Sequence, residues 1–569
     1  ADEALEGGRS YPVYLTSASD ETIAFQVFEP TGGIDCSRGH PLVLHGHGFG
    51  GSRSLSGFDD YLEAGFAVIS IDQRGFGESS GTVRVMDPEF EGDDLVQILD
   101  WAEDNLDYLR KQPEPTLPPE LNPNLVVGSI GGSYGGGYQL LLHGLDPKQR
   151  LDALVPDITW HDLRYSLNPG DVIKSGWDLM LVAGGEAGSM TNQNDGLDPI
   201  IREILLQGLS LNRFPAEGLD FIYYHSPAYR CAGLPIEPKD SPSLVNYQIN
   251  PPAYDVPPES FKAVDVLLTQ GMKDTLFNFN EAWRNYECLS ALGGDVRLMT
   301  HQSGHILPLA APDDLQPGNY VDPAAQVLEI PEFQEAAGAF ACGDVSIARA
   351  TLDWLKHKLL RDALPAYFDG SEEQVCLSTG DGQSIQVSAA DFPAPPKSGG
   401  VLTGPFAVER TVATETPVAS GYEAVASSTT PPVALPLGQV GPAGAVLGGI
   451  PTAQLTVSDL TGRTGCEDGL PEYSPGCDPI VFIGIGKRAE GESRWTLIDD
   501  QIKPVRGLKQ DAVVEMVGIA EQLVAGDELA LLVYGFHPQY PESWSRDALV
   551  PFVNVAGTVQ LPILEGTLL

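Results

Sequence analysis

Residues 125–142 read LVVGSIGGSYGGGYQLLL, which is an apolar run, a glycine-rich turn and a second apolar run. The centre of this stretch, Gly131-Gly132-Ser133-Tyr134-Gly135, has the Gly-x-Ser-x-Gly pattern that places a nucleophilic serine on a strained turn between a strand and a helix. A side chain two residues before or after the serine would collide with the flanking backbone, and glycine removes that collision. The stretch therefore predicts a strand, a turn and a helix in order, with Ser133 as the nucleophile.

The chain contains a second match to this pattern at Gly77-Glu78-Ser79-Ser80-Gly81. Residues 66–72 before it are apolar enough for a strand. Residues 82–87 after it have no helical apolar period, and Pro88 follows at once. Because only Ser133 has a strand, a turn and a helix in order, we interpret Ser79 as a loop residue and not as a nucleophile.

A serine nucleophile needs a histidine to accept its proton and a carboxylate to orient that histidine. In α/β-hydrolases these partners follow the serine in the order acid, then histidine, each just after a late strand. Residues 264–270 read as a buried strand ahead of Asp274, and residues 295–301 read as another strand ahead of His305. The order predicts Asp274 as the acid and His305 as the base. His301 competes as the base, but its place at the strand terminus favours a packing role.

Acyl transfer also needs two N–H donors for the oxyanion, one from the residue after the nucleophile and one from a loop after an early strand. Tyr134 supplies the first donor. Apolar residues 41–44 lead into His45-Gly46-His47-Gly48-Phe49-Gly50-Gly51, whose glycines allow a close backbone approach. This loop predicts Phe49 as the second donor. His47 is the next candidate, because the repeated His-Gly leaves the register open.

The same loop raises the question of a phosphate or metal site. No Gly-Lys-Ser/Thr sequence follows its glycines, which disfavours phosphate binding. No clustered carboxylate or cysteine stands at ligand spacing from His45 and His47, which disfavours a metal site. We therefore expect neither a metal nor a cofactor.

Five stretches of the sequence recur together in one known family. They are HGFGGSR at 47–53, SIDQRGFGES at 70–79, GGSYGG at 131–136, GMKD at 271–274 and SGH at 303–305. With these motifs the chain resembles the Xaa-Pro dipeptidyl-peptidase and cocaine-esterase-like serine hydrolases of the peptidase S15 type. The resemblance implies an α/β-hydrolase core, a helical cap inserted after the elbow, a C-terminal jelly-roll-like β domain, and a catalytic triad of Ser133, Asp274 and His305.

The early loop departs from the pattern of this family in one respect. Some members use a tyrosine hydroxyl from that loop as an oxyanion donor, whereas this loop offers His and Phe. The second oxyanion donor is therefore expected to be a backbone N–H and not a phenol.

A chain of 569 residues with 42% hydrophobic content is long enough for two or three domains, since single cores rarely grow beyond about 250 to 300 residues. We predict an α/β fold in which residues 1–162 and 249–365 form the α/β-hydrolase core. Helical apolar spacing predicts a cap at residues 163–248. Short alternating strands from about residue 369 onward predict a C-terminal β-sandwich over residues 366–569.

The formal net charge is −45, from 78 acidic and 33 basic residues. This balance argues against nucleic-acid partners and anionic membranes, because clustered Lys and Arg bind phosphate groups. No stretch reaches about 18 consecutive apolar residues, so no membrane span is expected. The first residues, Ala1-Asp2-Glu3-Ala4, are typical of an exported protein after signal removal. A secreted or periplasmic location is therefore expected, with the oligomeric state left open.

The seven cysteines favour the same location, because structural disulfides form in oxidising compartments. Two pairs bracket short predicted segments and are predicted to form disulfides: Cys342 with Cys376, and Cys466 with Cys477. The connectivity of the other three stays open: Cys36, Cys231 and Cys288. Since seven is odd, at least one thiol is unpaired or paired between chains.

Three residues are predicted to face the substrate. Trp160 and His161 follow closely behind the elbow helix and the next strand, and His47 stands in the early loop. Together with the nucleophile they indicate a pocket for a small-molecule, peptide or polymer substrate.

These residues predict a secreted serine hydrolase that cleaves a carboxylic ester or an amide through an acyl-enzyme. A Xaa-Pro dipeptidyl peptidase would need a carboxylate near the nucleophile to anchor the free amine of its substrate. Spacing singles out none of the candidates, which are Asp157, Asp162, Glu89 and Glu91. The sequence therefore favours an esterase, with the peptidase as the alternative. A non-catalytic binding protein on the same fold is the alternative of another class, and the intact Ser, Asp and His set speaks against it.

Overall fold

The structure, a computed structural model, describes most of the chain between Gly7 and Leu569. The ranges outside the described residues are 1–6, 34–37, 114–117, 119–120, 122, 192–193, 237–252, 306–339, 369–373, 393–400, 414–431, 460, 467–476, 494, 536, 538 and 544–551. Cys36 and part of the expected cap, residues 237–248, therefore lie outside the described residues.

Ten described strands form one mixed sheet in the N-terminal part of the chain. In spatial order they are β1 (Ser10–Thr16), β2 (Thr22–Phe28), β4 (Ala67–Ile71), β3 (Leu42–Gly46), β7 (Val127–Gly132), β8 (Leu151–Asp157), β9 (Asp265–Gly271), β10 (Val296–His301), β13 (Val375–Ser378) and β14 (Ser384–Val387). The strands from β4 to β13 run parallel. Several of them, such as β4, are continuous apolar runs because both faces are buried. Since parallel strands end at the same edge, the loops after β3, β7, β9 and β10 meet there.

The described helices are α1 (Asp59–Glu63), α2 (Glu91–Asn105), α3 (Tyr134–Leu145), α4 (Leu163–Leu167), α5 (Ser175–Met190), α6 (Pro199–Leu211), α7 (Ala216–Tyr224), α8 (Pro227–Ala232), α9 (Phe279–Leu292) and α10 (Ile347–Leu355). Two short strand pairs join β5 (Lys111–Gln112) to β6 (Asn124–Leu125) and β11 (Ala341–Cys342) to β12 (Val345–Ser346). Helices α4 to α8 all lie between β8 and β9, and we call residues 163–232 the helical insertion. No described helix has the length and apolar character needed to cross a bilayer.

Helix α6 shows how the sequence sets the limits of the insertion helices. Asp198 accepts a hydrogen bond from the Ile200 N–H, and Pro199 occupies the first turn, where its missing N–H costs nothing. Asn212 ends the helix in the left-handed conformation, with φ 61°. Ile200 and Ile204, one turn apart, are both buried. The helix therefore presents one apolar face to the rest of the protein.

A second sheet, of ten described strands, is formed by the C-terminal residues. Its strands are β15 (Val401–Ala413), β16 (Val433–Gly449), β17 (Thr452–Ser458), β18 (Ile480–Arg488), β19 (Thr496–Leu497), β20 (Lys503–Arg506), β21 (Lys509–Glu515), β22 (Ile519–Leu523), β23 (Glu528–Tyr534) and β24 (Phe552–Leu568). Strand β17 shows the alternation typical of such sheets, because Ala453, Leu455 and Val457 are buried while the residues between them are not. These side chains belong to a separate apolar core.

Strands β13 and β14 lie beyond residue 365, where the hydrolase core is expected to end. Strand β13 nevertheless pairs in parallel with β10, with Val375 opposite Leu298, and β14 pairs with β13. Val375 and Leu377 are buried in the core of the first sheet. The first sheet therefore extends past the expected boundary, because two strands of four residues each carry too little pattern to assign to one sheet from sequence.

Three disulfides join described cysteines. The two expected pairs, Cys342–Cys376 and Cys466–Cys477, are both present. The third joins Cys231 of α8 to Cys288 of α9, which are 57 residues apart in sequence. It fastens the end of the helical insertion to the helix that follows β9.

Candidate active site

Ser133 stands between the last residue of β7 and the first residue of α3. Its backbone has φ 56° and ψ −119°, a strained conformation for a residue with a side chain. A Cβ on Gly131 would lie 2.5 Å from the carbonyl oxygens of Gly46 and Gly135, and a Cβ on Gly135 would overlap the Gly46 carbonyl. The turn that projects Ser133 from the sheet edge therefore requires glycine at both positions.

The serine of the second Gly-x-Ser-x-Gly match has a different environment. Ser79 is fully buried, its hydroxyl donates to the Asp72 carbonyl at 2.7 Å, and it accepts the Ala24 N–H at 2.8 Å. Because both bonds are made inside the fold, Ser79 joins its loop to β2 and does not reach the pocket at Ser133.

The three residues predicted for the chemistry form one hydrogen-bonded series. Nε2 of His305 lies 2.8 Å from Oγ of Ser133, and Nδ1 of His305 lies 2.6 Å from Oδ2 of Asp274. A carboxylate at Nδ1 keeps the ring proton on that nitrogen and leaves Nε2 able to take the serine proton. The arrangement can therefore activate the Ser133 hydroxyl as a nucleophile.

Asp274 follows β9 and is fully buried. Its Oδ1 accepts the N–H groups of Leu276 at 2.9 Å and Phe277 at 2.7 Å, and its Oδ2 accepts the backbone N–H of His305 at 3.0 Å. With the ring N–H of His305, four donors hold the carboxylate in one orientation. Such bonds stabilise the charged form of a buried carboxylate.

His301, the competing base, points away from the nucleophile. It is fully buried, its Nδ1 accepts the Ser303 N–H at 3.2 Å, and its Nε2 lies 3.0 Å from Oδ1 of Asp157. Because Nδ1 accepts a hydrogen bond, the ring proton is on Nε2, and Nε2 donates a hydrogen bond to Asp157. His301 thus has the packing role expected from its position at the end of β10.

The two predicted oxyanion donors come from neighbouring segments. Tyr134 is the first residue of α3, and the ring of Phe49 packs edge-on against the Tyr134 ring at 5.1 Å. Among the described residues, neither of their backbone N–H groups has a hydrogen-bond acceptor. The Tyr134 N–H at the start of α3 and the Phe49 N–H in the glycine-rich loop are therefore available to a bound oxyanion.

A large pocket is lined by Ser133 and by the helical insertion. The space it encloses, including the open solvent at its mouth, is about 820 Å³. Half of its aliphatic lining residues lie on α5 and α6. Its aromatic lining comes from Phe49, Tyr134, Trp160, Phe214, Phe221 and Phe277. Asp178 contributes a carboxyl group to the lining, and His225 contributes an imidazole. Within the described residues, no group of three or more His, Cys, Asp or Glu side chains is arranged to hold a metal ion.

Of the three residues predicted to face substrate, Trp160 lines the pocket and the two histidines do not. The His47 ring lies 2.7 Å from the Gly48 carbonyl through Nδ1 and accepts the Gln73 N–H at 3.0 Å through Nε2, so it orders the early loop. Nδ1 of His161 lies 2.9 Å from the side-chain oxygen of Asn285 on α9. Neither histidine therefore lines the pocket in this structure, and a substrate contact for either one stays a prediction.

The start of α5 contacts the loop that carries Asp274, a feature without a sequence motif. The Trp177 ring meets the His305 ring edge-on at 5.9 Å, and its N–H donates to Oγ1 of Thr275 at 3.1 Å. Lys174 donates to the Thr275 and Leu276 carbonyls at 2.9 and 3.0 Å. Burial lowers the pKa of Lys174 to about 8. The helical insertion thus positions the acid loop as well as lining the pocket.

Gln501 of the C-terminal part reaches the same loop. It is buried, and its side-chain amide donates to the Met272 carbonyl at 2.7 Å and to the Asp274 carbonyl at 2.9 Å. Both N–H groups of one side chain therefore hold the backbone on either side of Lys273. This contact makes Gln501 a positioning residue for the acid.

Replacing Gln501 by leucine is expected to lower kcat about 10- to 100-fold with little change in KM, because small displacements of a catalytic group have effects of that size. Steady-state rates on one ester measure both constants. Gln454→Leu is the matched control, since the Gln454 side chain donates to Asp511 on the exposed face of the second sheet. A rise in KM with unchanged kcat would contradict the positioning role.

Comparison with known proteins agrees with this geometry. The family model described as X-Pro dipeptidyl-peptidase (S15 family) matches residues 14–209, which include Ser133. A CocE/NonD family hydrolase from Staphylococcus aureus shares the fold with a TM-score of 0.59 at 11% identity, over 99% of this chain and 98% of that chain. An alpha-amino acid ester hydrolase gives a TM-score of 0.54 at 12% identity, over 99% and 98%.

A curated relative from Escherichia coli is described as an uncharacterized 31.7 kDa protein in the traX-finO intergenic region. It is 41% identical over 86 residues, which are 15% of this chain, and the chain spans 29% of the length of that relative. The family match and the shared fold together confirm the resemblance indicated by the motifs: residues 14–209 carry the pattern of the S15 family, in a chain with the fold of the CocE/NonD hydrolases.

Proposed function

We propose that the chain is a serine hydrolase that cleaves carboxylic esters through an acyl-enzyme. The observation that carries this proposal is the series Ser133, His305 and Asp274, with contacts of 2.8 and 2.6 Å, beside an apolar pocket. His305 takes the Ser133 proton as Oγ attacks the carbonyl carbon, and then gives it to the leaving alcohol. The Phe49 and Tyr134 N–H groups receive the oxyanion, and water deprotonated by His305 releases the acid.

The pocket favours an ester over a peptide with a free amine. None of the four carboxylates considered as amine anchors lines it. Each has a partner elsewhere: Asp157 with His301, Asp162 with Arg164, Glu89 with Tyr224, and Glu91 with the Arg84 N–H. An apolar wall instead suits the hydrocarbon part of an acyl group.

The helical insertion is proposed to act as the cap that supplies this acyl pocket. The second sheet is proposed to form a jelly-roll-like domain that supports the catalytic loops, which agrees with the bonds made by Gln501. Three disulfides favour a secreted or periplasmic location, because such bonds persist in oxidising compartments.

Rates on p-nitrophenyl acyl esters and on Xaa-Pro-p-nitroanilides test the proposed substrate class. We expect the native chain to hydrolyse the esters and to leave the anilides uncleaved. A matched anilide with an acetylated N-terminus separates peptidase from general amidase activity, since a dipeptidyl peptidase needs the free amine. Cleavage of the free-amine anilide alone would establish the Xaa-Pro peptidase instead.

A further inference from the structure

Asp178 is a polar group in the wall of an otherwise apolar pocket. It lies in the first turn of α5, is 4% exposed, and lines the same pocket as Ser133. Among the described residues, its side chain has no hydrogen-bond partner, and its buried Oδ2 is unsatisfied. It contributes the only carboxyl group among the described residues that line the pocket.

The residues beside Asp178 do not supply the missing partner. Lys174, one turn earlier, directs its ammonium group to the Thr275 and Leu276 carbonyls. The Trp177 indole N–H is bonded to the Thr275 hydroxyl. Leaving a buried polar group without a partner destabilises the fold, so folding alone gives no reason for an acid here. A ligand in the pocket can provide the partner.

The environment of Asp178 defines the chemistry of that partner. Burial raises the pKa of its carboxyl well above the usual range, although nearby Lys174 acts in the opposite direction. A protonated carboxyl offers one O–H donor and one carbonyl acceptor. A hydroxyl group, which donates and accepts, matches both. An ammonium group would require an ion pair in an apolar wall, where desolvation opposes it.

We propose that Asp178 determines specificity by hydrogen-bonding a hydroxyl group on the acyl chain of the substrate, so that the preferred substrates are esters of hydroxylated aliphatic acids. The inference rests on the proposed function, because Ser133 must attack the ester carbonyl while the acyl chain fills the pocket toward Asp178. The hydroxyl group itself does not react. It gives Asp178 the hydrogen-bond partner that a plain acyl chain cannot supply.

The test compares kcat/KM on methyl hexanoate with kcat/KM on its β-hydroxy and ω-hydroxy derivatives, for the native chain, Asp178→Asn and Asp178→Leu. The native chain is expected to favour at least one hydroxy ester about 10- to 100-fold, as for a lost bond to a buried polar group. Asp178→Asn, which still donates and accepts, should keep most of that preference. Asp178→Leu should abolish or reverse it.

Four outcomes would overturn the inference, and they differ from one another. One outcome is equal rates on plain and hydroxy esters in the native chain, and another is a preference that survives in Asp178→Leu. Either would show that Asp178 does not determine specificity, while the proposed esterase function would still stand. Faster hydrolysis of methyl ω-aminohexanoate than of either hydroxy ester would show an amine-binding site. No turnover of any ester, including p-nitrophenyl hexanoate, would overturn the proposed function and this inference with it.

Discussion

Replacing Ser133 by alanine is expected to lower kcat on esters by a factor of at least about 10³, which is the usual scale for removal of a catalytic nucleophile. The substitution deletes the atom that lies 2.8 Å from Nε2 of His305 and changes nothing in the glycine contacts that shape the turn. The free energy of unfolding should therefore stay close to that of the native chain. Ester hydrolysis and urea unfolding measure the two quantities.

Ser79→Ala is the matched control, because it alters the other Gly-x-Ser-x-Gly sequence. Its buried hydroxyl bonds to both Asp72 and Ala24, so its loss should cost about 1–3 kcal/mol of stability and leave kcat nearly unchanged. A fluorophosphonate probe should label Ser133 in the native chain and in Ser79→Ala. Esterase activity that persists in Ser133→Ala, or a label on another residue, would exclude the proposed mechanism.

Asp274→Asn is expected to lower kcat by a factor of about 10⁴, the scale known for a change of histidine tautomer in a Ser-His-Asp site. The side-chain amide of asparagine would turn its NH2 group toward N–H groups that point at Asp274 in the native chain. These are the backbone N–H groups of Leu276 and Phe277 and the two N–H groups of His305. Each oxygen of Asp274 accepts two of these donors, so the NH2 group leaves two of them without an acceptor. Of these donors, the Nδ1 group of His305 can respond by moving its proton to Nε2, which is the change of tautomer.

Asp157→Asn provides the comparison, since Asp157 pairs with His301 as Asp274 pairs with His305. Its oxygen also accepts the Thr269 hydroxyl at 2.7 Å, so the change should reduce stability and leave kcat within about tenfold of native, as expected for a bond that orients no reacting group. A larger loss of kcat in Asp157→Asn than in Asp274→Asn would reassign the base to His301.

The three residues of the proposed triad can be predicted from sequence because each belongs to a short local pattern. Ser133 lies between two glycines, and Asp274 and His305 each follow an apolar run that forms a strand of the parallel sheet. From β7 to β10 strand order and chain order agree, so local patterns suffice to place these residues at the same edge.

The rest of the site depends on contacts between distant segments. Asp178 stands in a helix whose sequence gives no sign that its carboxyl faces a pocket, and Gln501 contacts a loop 227 residues earlier in the chain. The pairing of Cys231 with Cys288 likewise needs the docked helices α8 and α9. The contacts of His47 with Gly48 and of His161 with Asn285 likewise appear only in the folded structure.

The side-chain amide of Gln501 also bears on the order in which segments of the protein reach their final positions during synthesis. On the ribosome, domains fold as they emerge, and the first sheet and its catalytic side chains are synthesised well before residue 501. The carbonyls of Met272 and Asp274 then lack the partner that Gln501 gives them. A nascent chain can thus bury the hydrophobic core of its first sheet before Gln501 holds the loop that carries Asp274. We therefore expect the acid loop to reach its final position only after residue 501 has been synthesised and has docked.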